Sequence, residues 1–272
     1  AMRTDGCLGF VRKLQDQGVL RHFGFSTHGY LKGVMALVET GEFDSINLHY
    51  YFFNQGLRPV VRRAAELDMG VFIISPSAQG GTLHDPTPRL ADACAPLHPV
   101  TFNQMWLLNQ PEVHTVSFGA ATPGQVERNL LAADYTGSGE PRRDFDQIAS
   151  RVEAAYRERL GETVCTTCSD CLPCPEEINI PGLLNWRNLA VGLDMTEYAR
   201  GRYSRMGEND AWLPGVKGDR CTRCGDCMPR CPESLEIPDL LWDTHQRLET
   251  GEIHPPMWQH EGHLIERRLT QD

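Results

Sequence analysis

The chain has 272 residues, 40% of them hydrophobic, with a formal net charge of −10, a pI near 5.5 and a mean hydropathy of −0.39. That length and apolar content suffice for one large or two ordinary globular domains. No apolar run is long enough to cross a bilayer, and the acidic balance, with Arg142 and Arg143 too few to make a basic face, argues against nucleic acid as a partner.

The first half alternates helix and strand. Leu8, Val11 and Leu14 predict a helix over 7–17 that stops at Gly18, followed by a strand over 20–26. Helix 30–39, strand 43–52, helix 59–67 and strand 71–74 continue the pattern. A proline- and glycine-rich loop is expected over 76–99, then helix 102–108, strand 113–118 and helix 123–132. Such alternation predicts parallel strands with helical crossovers. Four strands cannot close a barrel of this type, which needs eight. Residues 137–141 read as a turn-rich linker, and 145–160 as an amphipathic helix.

Eight of the ten cysteines then fall into two runs, Cys165, Cys168, Cys171 and Cys174, and Cys221, Cys224, Cys227 and Cys231, each closing on a proline, Pro175 or Pro232. Three thiolates at two-residue spacing wrap one corner of an iron-sulfur cube, and the fourth leaves the loop at an angle and serves the other cube. The expectation is two 4Fe-4S clusters, one held by Cys165, Cys168, Cys171 and Cys231, its twin by Cys221, Cys224, Cys227 and Cys174. Only Leu172 and Pro173 separate the third and fourth cysteines of the first run, against Met228, Pro229 and Arg230 in the second. Zinc and disulfides are the alternatives. Zinc sites pair two-cysteine knuckles and leave the third cysteine of each run surplus. Disulfides need an oxidising compartment, whereas residues 1–6 are polar and give no secretory leader, so a cytoplasmic location is expected.

Each run is followed by the same grammar: Cys-Pro-Glu, a short spacer closing on Ile-Pro, and a helix opening at Pro181 or Pro238. Leu183, Trp186, Leu189 and Leu193 give the first of these helices an apolar face that continues toward Gly201 or Gly207, and Leu240, Leu241 and Leu248 mark the second. The long helical spacer between the runs predicts an all-helical two-cluster domain. His245, His254, His260 and His263 are expected to be solvated, and the lone Cys7 and Cys94 to be buried small hydrophobes.

With these pieces the chain resembles the aldo/keto reductases that carry a C-terminal two-cluster ferredoxin domain. The resemblance rests on Leu20–His28, Ile74–Gly81, Ser117–Leu130, Asn185–Met206 and the cysteine runs. It implies an α/β chain: the fifth to eighth strands of a (β/α)8 TIM-type barrel over residues 1–140, a linker helix over 141–162, the all-α ferredoxin domain over 163–250 and a polar tail over 251–272. The strands that carry the family's catalytic aspartate, tyrosine, lysine and histidine are not among those matched, so no catalytic residue is assigned. His49 follows the Gly-Phe-Ser-Thr-His motif, whereas the family's histidine precedes it; on its strand Ser45, Asn47, His49 and Tyr51 share the face expected to point into the barrel.

The resemblance also implies a site for NADP(H) or NAD(H) across the strand C-termini. Ser26 and Thr27 match the pair that holds the carboxamide, Asn47 stands where the family has glutamine, and Ser75, Gln79 and Gly80 belong to the pyrophosphate loop. Gly119, Gln125 and Asn129 match positions that grip the adenosine end. Gln125 and Gly119 supply no charge for a 2′-phosphate, Arg128 stands where an acid is common, and Ile74 replaces a stacking aromatic. The implied function is an iron-sulfur oxidoreductase that couples a nicotinamide site to two clusters and acts on a small-molecule carbonyl, with a redox partner protein or a chain that supplies the other half barrel. The alternatives are a ferredoxin-like electron-transfer module with a non-catalytic half barrel, and a truncated gene product.

Overall fold

A computed structural model describes residues 6–78, 81–135, 140–207 and 215–249. Strands β1 (Gly24–Ser26), β2 (Ser45–Leu48), β3 (Gly70–Ile74) and β4 (Thr115–Ser117) form one sheet in that order. All three pairings are parallel, as the alternation requires. Helices α1 (Cys7–Asp16), α2 (Leu31–Val38), α3 (Arg58–Glu66), α4 (Pro88–Cys94), α5 (Pro99–Leu108) and α6 (Pro123–Leu130) precede, connect and follow the strands. No helix among the described residues is long and apolar enough to cross a membrane.

The register explains the sheet's two faces. Phe25, Ile46 and Val71 align across three strands, and Leu48, Ile73 and Val116 across the next three. This face packs on Val34 and Val38 of α2, Val60, Val61 and Ala64 of α3, and Leu107 of α5. The opposite row runs Ser26, Asn47, Phe72 and Thr115, and Phe72 there is 40% exposed. Strand β2 alternates partly buried and buried side chains as period two dictates.

After the sheet come α7 (Glu140–Leu160), α8 (Ile180–Leu193), α9 (Thr196–Arg205) and α10 (Ile237–Leu248). Helix α8 is buried nearly all round because it has core on both sides. Leu183, Leu184 and Trp186 pack with Tyr203 of α9 and Ile237 and Leu241 of α10, while Leu189 and Leu193 pack with Leu90, Phe102 and Val152 of α4, α5 and α7. Arg89 of α4 fastens this junction: its Nε donates to the Gly192 carbonyl at 2.8 Å and its guanidinium to the Ala155 carbonyl at 2.6 Å.

Four expectations are corrected. The loop over 76–99 contains α4, started by Thr87, whose Oγ1 accepts from the Leu90 amide at 3.2 Å and donates to the Leu193 carbonyl at 2.6 Å. The single helix expected toward Gly201 or Gly207 is two, because Asp194 turns left-handed at φ 57° and its carboxylate pairs with Arg159. His245 is buried on α10, where its Nδ1 meets the Tyr203 hydroxyl at 2.7 Å. Cys7 is exposed, whereas Cys94 is buried. His254, His260, His263, the polar tail and most of the 137–141 linker lie outside the described residues.

Candidate iron-sulfur site

The two cysteine runs have nearly the same backbone. Left-handed residues occur at matching places: Thr167 (φ 56°) and Arg223 (φ 59°) before the second cysteines, Ser169 (φ 71°) and Gly225 (φ 87°) after them, and Glu177 (φ 56°) and Ser234 (φ 52°) three residues past the fourth. Only one of the six is glycine, so the others hold a conformation that costs on the order of 1 kcal/mol each and persists where the surroundings dictate it. The turn bonds match as well. Leu172 donates to the Ser169 carbonyl as Met228 does to Gly225, and Glu177 to Cys174 as Ser234 does to Cys231.

The fold brings each fourth cysteine to the other run. One hollow is lined by Cys165, Cys168, Cys171 and Cys231, with Glu233 and Ile237 beside the last and Leu184 of α8 as its floor. The second is lined by Cys221, Cys224, Cys227 and Cys174, with Glu176, Ile180 and Leu241 in the equivalent places. Helices α8 and α10 each start six residues past a fourth cysteine with proline in the first turn. Arg230 ties the runs together, donating to the Leu172 carbonyl at 2.9 Å and the Pro173 carbonyl at 3.3 Å.

Burial pushes the Cys165 and Cys227 thiols up to about 11 and Cys171 to about 12, and their neighbouring cysteines add to the rise. Such thiols ionise only against compensating positive charge, which iron supplies. The donor set therefore suits a soft polynuclear centre: four thiols around a hollow and no histidine in either lining.

Helix α8 grips the first run. Its Asn188 Nδ2 donates to the Cys165 carbonyl at 2.8 Å, and Arg187 reaches Thr163 Oγ1 at 3.2 Å and Asp243 of α10 at 2.7 Å. Burial raises the Asp243 carboxyl, but hydrogen bonds from Arg247 and Arg187 outweigh it and hold the group below its usual range.

On the sheet side, the C-terminal ends of β1 and β2 face this first run across a cavity of about 150 Å³ lined by Thr27, His28, His49, Tyr51, Ser169 and Trp186 among others. His49 and Tyr51 share a face past the end of β2, and their side chains touch. His28 ends the Leu20–His28 match and Trp186 lies on the apolar face expected of α8, but nothing in the sequence marks either as a cavity residue, since only the fold sets them opposite one another. Of the nucleotide positions, Thr27 lines this cavity, its Oγ1 accepting from the Gly29 amide at 2.9 Å. Ser26 is exposed at the end of β1, and Asn47 lies beside it on β2. Ser75, Gly119 and Gln125 line a separate groove between the β3 loop and α6. Asn129 is buried, bonded to Gln104 Nε2 at 2.5 Å and to the Gln125 carbonyl at 2.7 Å. Gln79 and Gly80 lie outside the described residues.

Residues 164–236 match the family model of the 4Fe-4S dicluster domain, a span that takes in both cysteine runs and helices α8 and α9. The chain thus carries a ferredoxin-type region that binds 4Fe-4S clusters. No curated protein matches the chain.

Proposed function

We propose that the chain is an iron-sulfur oxidoreductase in which two 4Fe-4S clusters are held by crossed ligation. Cys165, Cys168, Cys171 and Cys231 hold one, and Cys221, Cys224, Cys227 and Cys174 the other. The observation that carries this is the lining of the two hollows, where each fourth cysteine stands with the opposite run. A bound 4Fe-4S cluster stores and passes single electrons, at a potential set by its hydrogen bonds and exposure. The protein's own part is to supply the thiolates, shield the first run behind α8 and the strand ends, and leave Cys224 of the second run exposed for a redox partner.

The aldo/keto reductase resemblance belongs to the same proposal. Four parallel strands in sequence order, with helices on one face and the 40% exposed Phe72 on the other, suit half of a barrel spanning residues 1–140, joined by a helix over 141–162 to a cluster domain over 163–250. NADP(H) or NAD(H) would take the groove that joins Ser75, Gly119 and Gln125, with Ser26, Thr27 and Asn47 toward the nicotinamide. A reading as an electron-transfer module alone is favoured by Asn129, whose amide is already bonded within the protein.

Two measurements on the anaerobically purified full chain decide. About eight irons per chain are expected, with the absorbance of paired 4Fe-4S centres; stoichiometric zinc would sink the cluster assignment. Titration with NADPH and NADH is expected to saturate, and its failure with iron intact leaves the carrier alone.

A further inference from the structure

The cavity between the strand ends and the first cysteine run carries a set of side chains that neither the dicluster domain nor the nucleotide groove uses. His49 lies at its centre. Its Nε2 is 2.6 Å from His28 Nδ1, and its Nδ1 contacts the Tyr51 hydroxyl, which donates to the Ile74 carbonyl at 3.3 Å and would turn from it toward a ligand in the cavity. His28 is partly exposed, while His49 and Tyr51 are 7% and 2% exposed, so the three form a hydrogen-bonded chain from solvent to a buried hydroxyl. Burial, with His28 alongside, lowers His49 to about 4, and burial lowers His28 as well.

The other walls say what the cavity would take. Ser169 and Pro181 line both this cavity and the first cysteine hollow, so a single layer of residues separates the two. No aspartate, glutamate, lysine or arginine is among the lining residues, and Trp186 and Tyr198 supply flat apolar surface. A volume of about 150 Å³ suits one six-membered ring, and the opening passes Gly29 and Tyr30, both exposed.

We propose that this cavity binds an uncharged one-ring quinone, one carbonyl oxygen of which accepts a hydrogen bond from Tyr51 and takes its proton through His49 and His28. The inference rests on the electron-transfer reading above, because a quinone, unlike a simple aldehyde, takes its two electrons singly. Conversion to the hydroquinone consumes two electrons, those the iron-sulfur centres supply when bound and reloaded by a low-potential electron-donor protein, and two protons. For the first proton, the Tyr51 O–H bond breaks as the O–H on the facing quinone oxygen forms, Tyr51 takes the Nδ1 proton of His49, His49 takes at Nε2 the Nδ1 proton of His28, and His28 gains one at Nε2 from the solvent side, so that both imidazoles end neutral with the proton on Nε2. The second proton goes to the opposite quinone oxygen, across the ring from Tyr51, directly from solvent at the opening beside Gly29 and Tyr30. Tyr51 is the catalytic residue of this scheme; His28 and His49 act through it.

The test uses the full chain with its clusters and duroquinone, which is fully substituted and does not alkylate thiols. Calorimetry with oxidised clusters is expected to show one saturable site, weakened about tenfold by Tyr51→Phe and abolished by Leu31→Trp, a substitution at the partly exposed cavity rim. His28→Asn is expected to weaken that affinity less than Tyr51→Phe does, yet to slow reoxidation of the reduced chain by duroquinone at least tenfold, and imidazole in the buffer is expected to restore the rate. Iron is counted on the same samples. Loss of iron overturns the cluster reading, whereas full iron without saturable binding, or with binding indifferent to both Tyr51→Phe and Leu31→Trp, overturns this one. A slow His28→Asn chain that imidazole does not rescue removes the proton route.

Discussion

The two cysteine runs share a backbone and differ in what surrounds them. Both place left-handed residues at the same three positions, and both lead into a helix with proline in its first turn. The first run faces inward, its Ser169 and Pro181 of the following helix forming a wall of the strand-end cavity, whereas the second leaves Cys224 exposed. The helices that follow diverge in the same sense. Asn188 of α8 reaches back to the Cys165 carbonyl, while its counterpart on α10, His245, bonds to Tyr203 of α9 instead. A duplicated cluster-binding grammar has thus been fitted to two environments, one against the sheet and one outward.

The largest effects come from the ligands themselves. Cys168→Ala and Cys224→Ala are each expected to cost about half of the iron, read by metal analysis under strict anaerobiosis. Total loss from Cys168→Ala, with only half lost from Cys224→Ala, would show that the outward site cannot assemble without the inward one and would break their equivalence.

Next is the brace on the inward run. Arg187, 7% exposed, joins Thr163, just ahead of Cys165, to Asp243 of α10. Arg187→Ala leaves a half-buried carboxylate without one partner and is expected to cost about 3 kcal/mol in urea unfolding. Thr244, the equivalent residue on α10, bonds only to the Leu240 carbonyl one turn back among the contacts seen, so Thr244→Val is expected to cost under about 1 kcal/mol. Equal costs would contradict the claim that the first run alone is braced this way.

Acid sharpens the same contrast. The unfolded chain protonates His49 near 6.5, but the folded chain does so only near 4. Between those values the unfolded state binds more protons, so this contribution to stability is full above pH 6.5 and is lost as pH falls toward 4. Burial is the main cause, with His28 and, from α9, Arg202 adding to it. His49→Gln is expected to flatten the urea midpoint between pH 6.5 and 4; an unchanged slope would place the loss elsewhere.

The smallest difference lies at the helix starts. Asn179 Oδ1 accepts from the Gly182 amide at 3.3 Å, while Glu236, its counterpart, makes no side-chain cap. Asn179→Ala is expected to cost about 1 kcal/mol and Glu236→Ala close to none, both by thermal melting.

What was legible in the sequence follows local rules. The cysteine spacing, Pro181 and Pro238 as helix starters, and the strand–helix alternation each depend on a few adjacent residues. The left-handed turns at Thr167 and Arg223 were hidden because no glycine marks them. Helix α4 lies in a proline- and glycine-rich stretch that reads as loop, although Thr87-Pro88 ahead of Leu90 is a helix-start signal. The break at Asp194 and the burial of His245 depend on Arg159 and Tyr203, far along the chain. The cavity depends on two segments more than a hundred residues apart meeting, His28 with His49 and Ser169 with Trp186, and periodicity carries no such information.

The exchange of the fourth cysteines is tested most directly by comparing Cys174→Ala with Cys231→Ala against the single-run variants Cys168→Ala and Cys224→Ala, using spin resonance of the reduced clusters. Crossed ligation predicts that Cys174→Ala loses the signal that Cys224→Ala loses, and that Cys231→Ala loses the signal that Cys168→Ala loses. If Cys174→Ala instead reproduces the spectrum of Cys168→Ala, each run closes on its own cluster and the arrangement proposed from the two hollows is wrong.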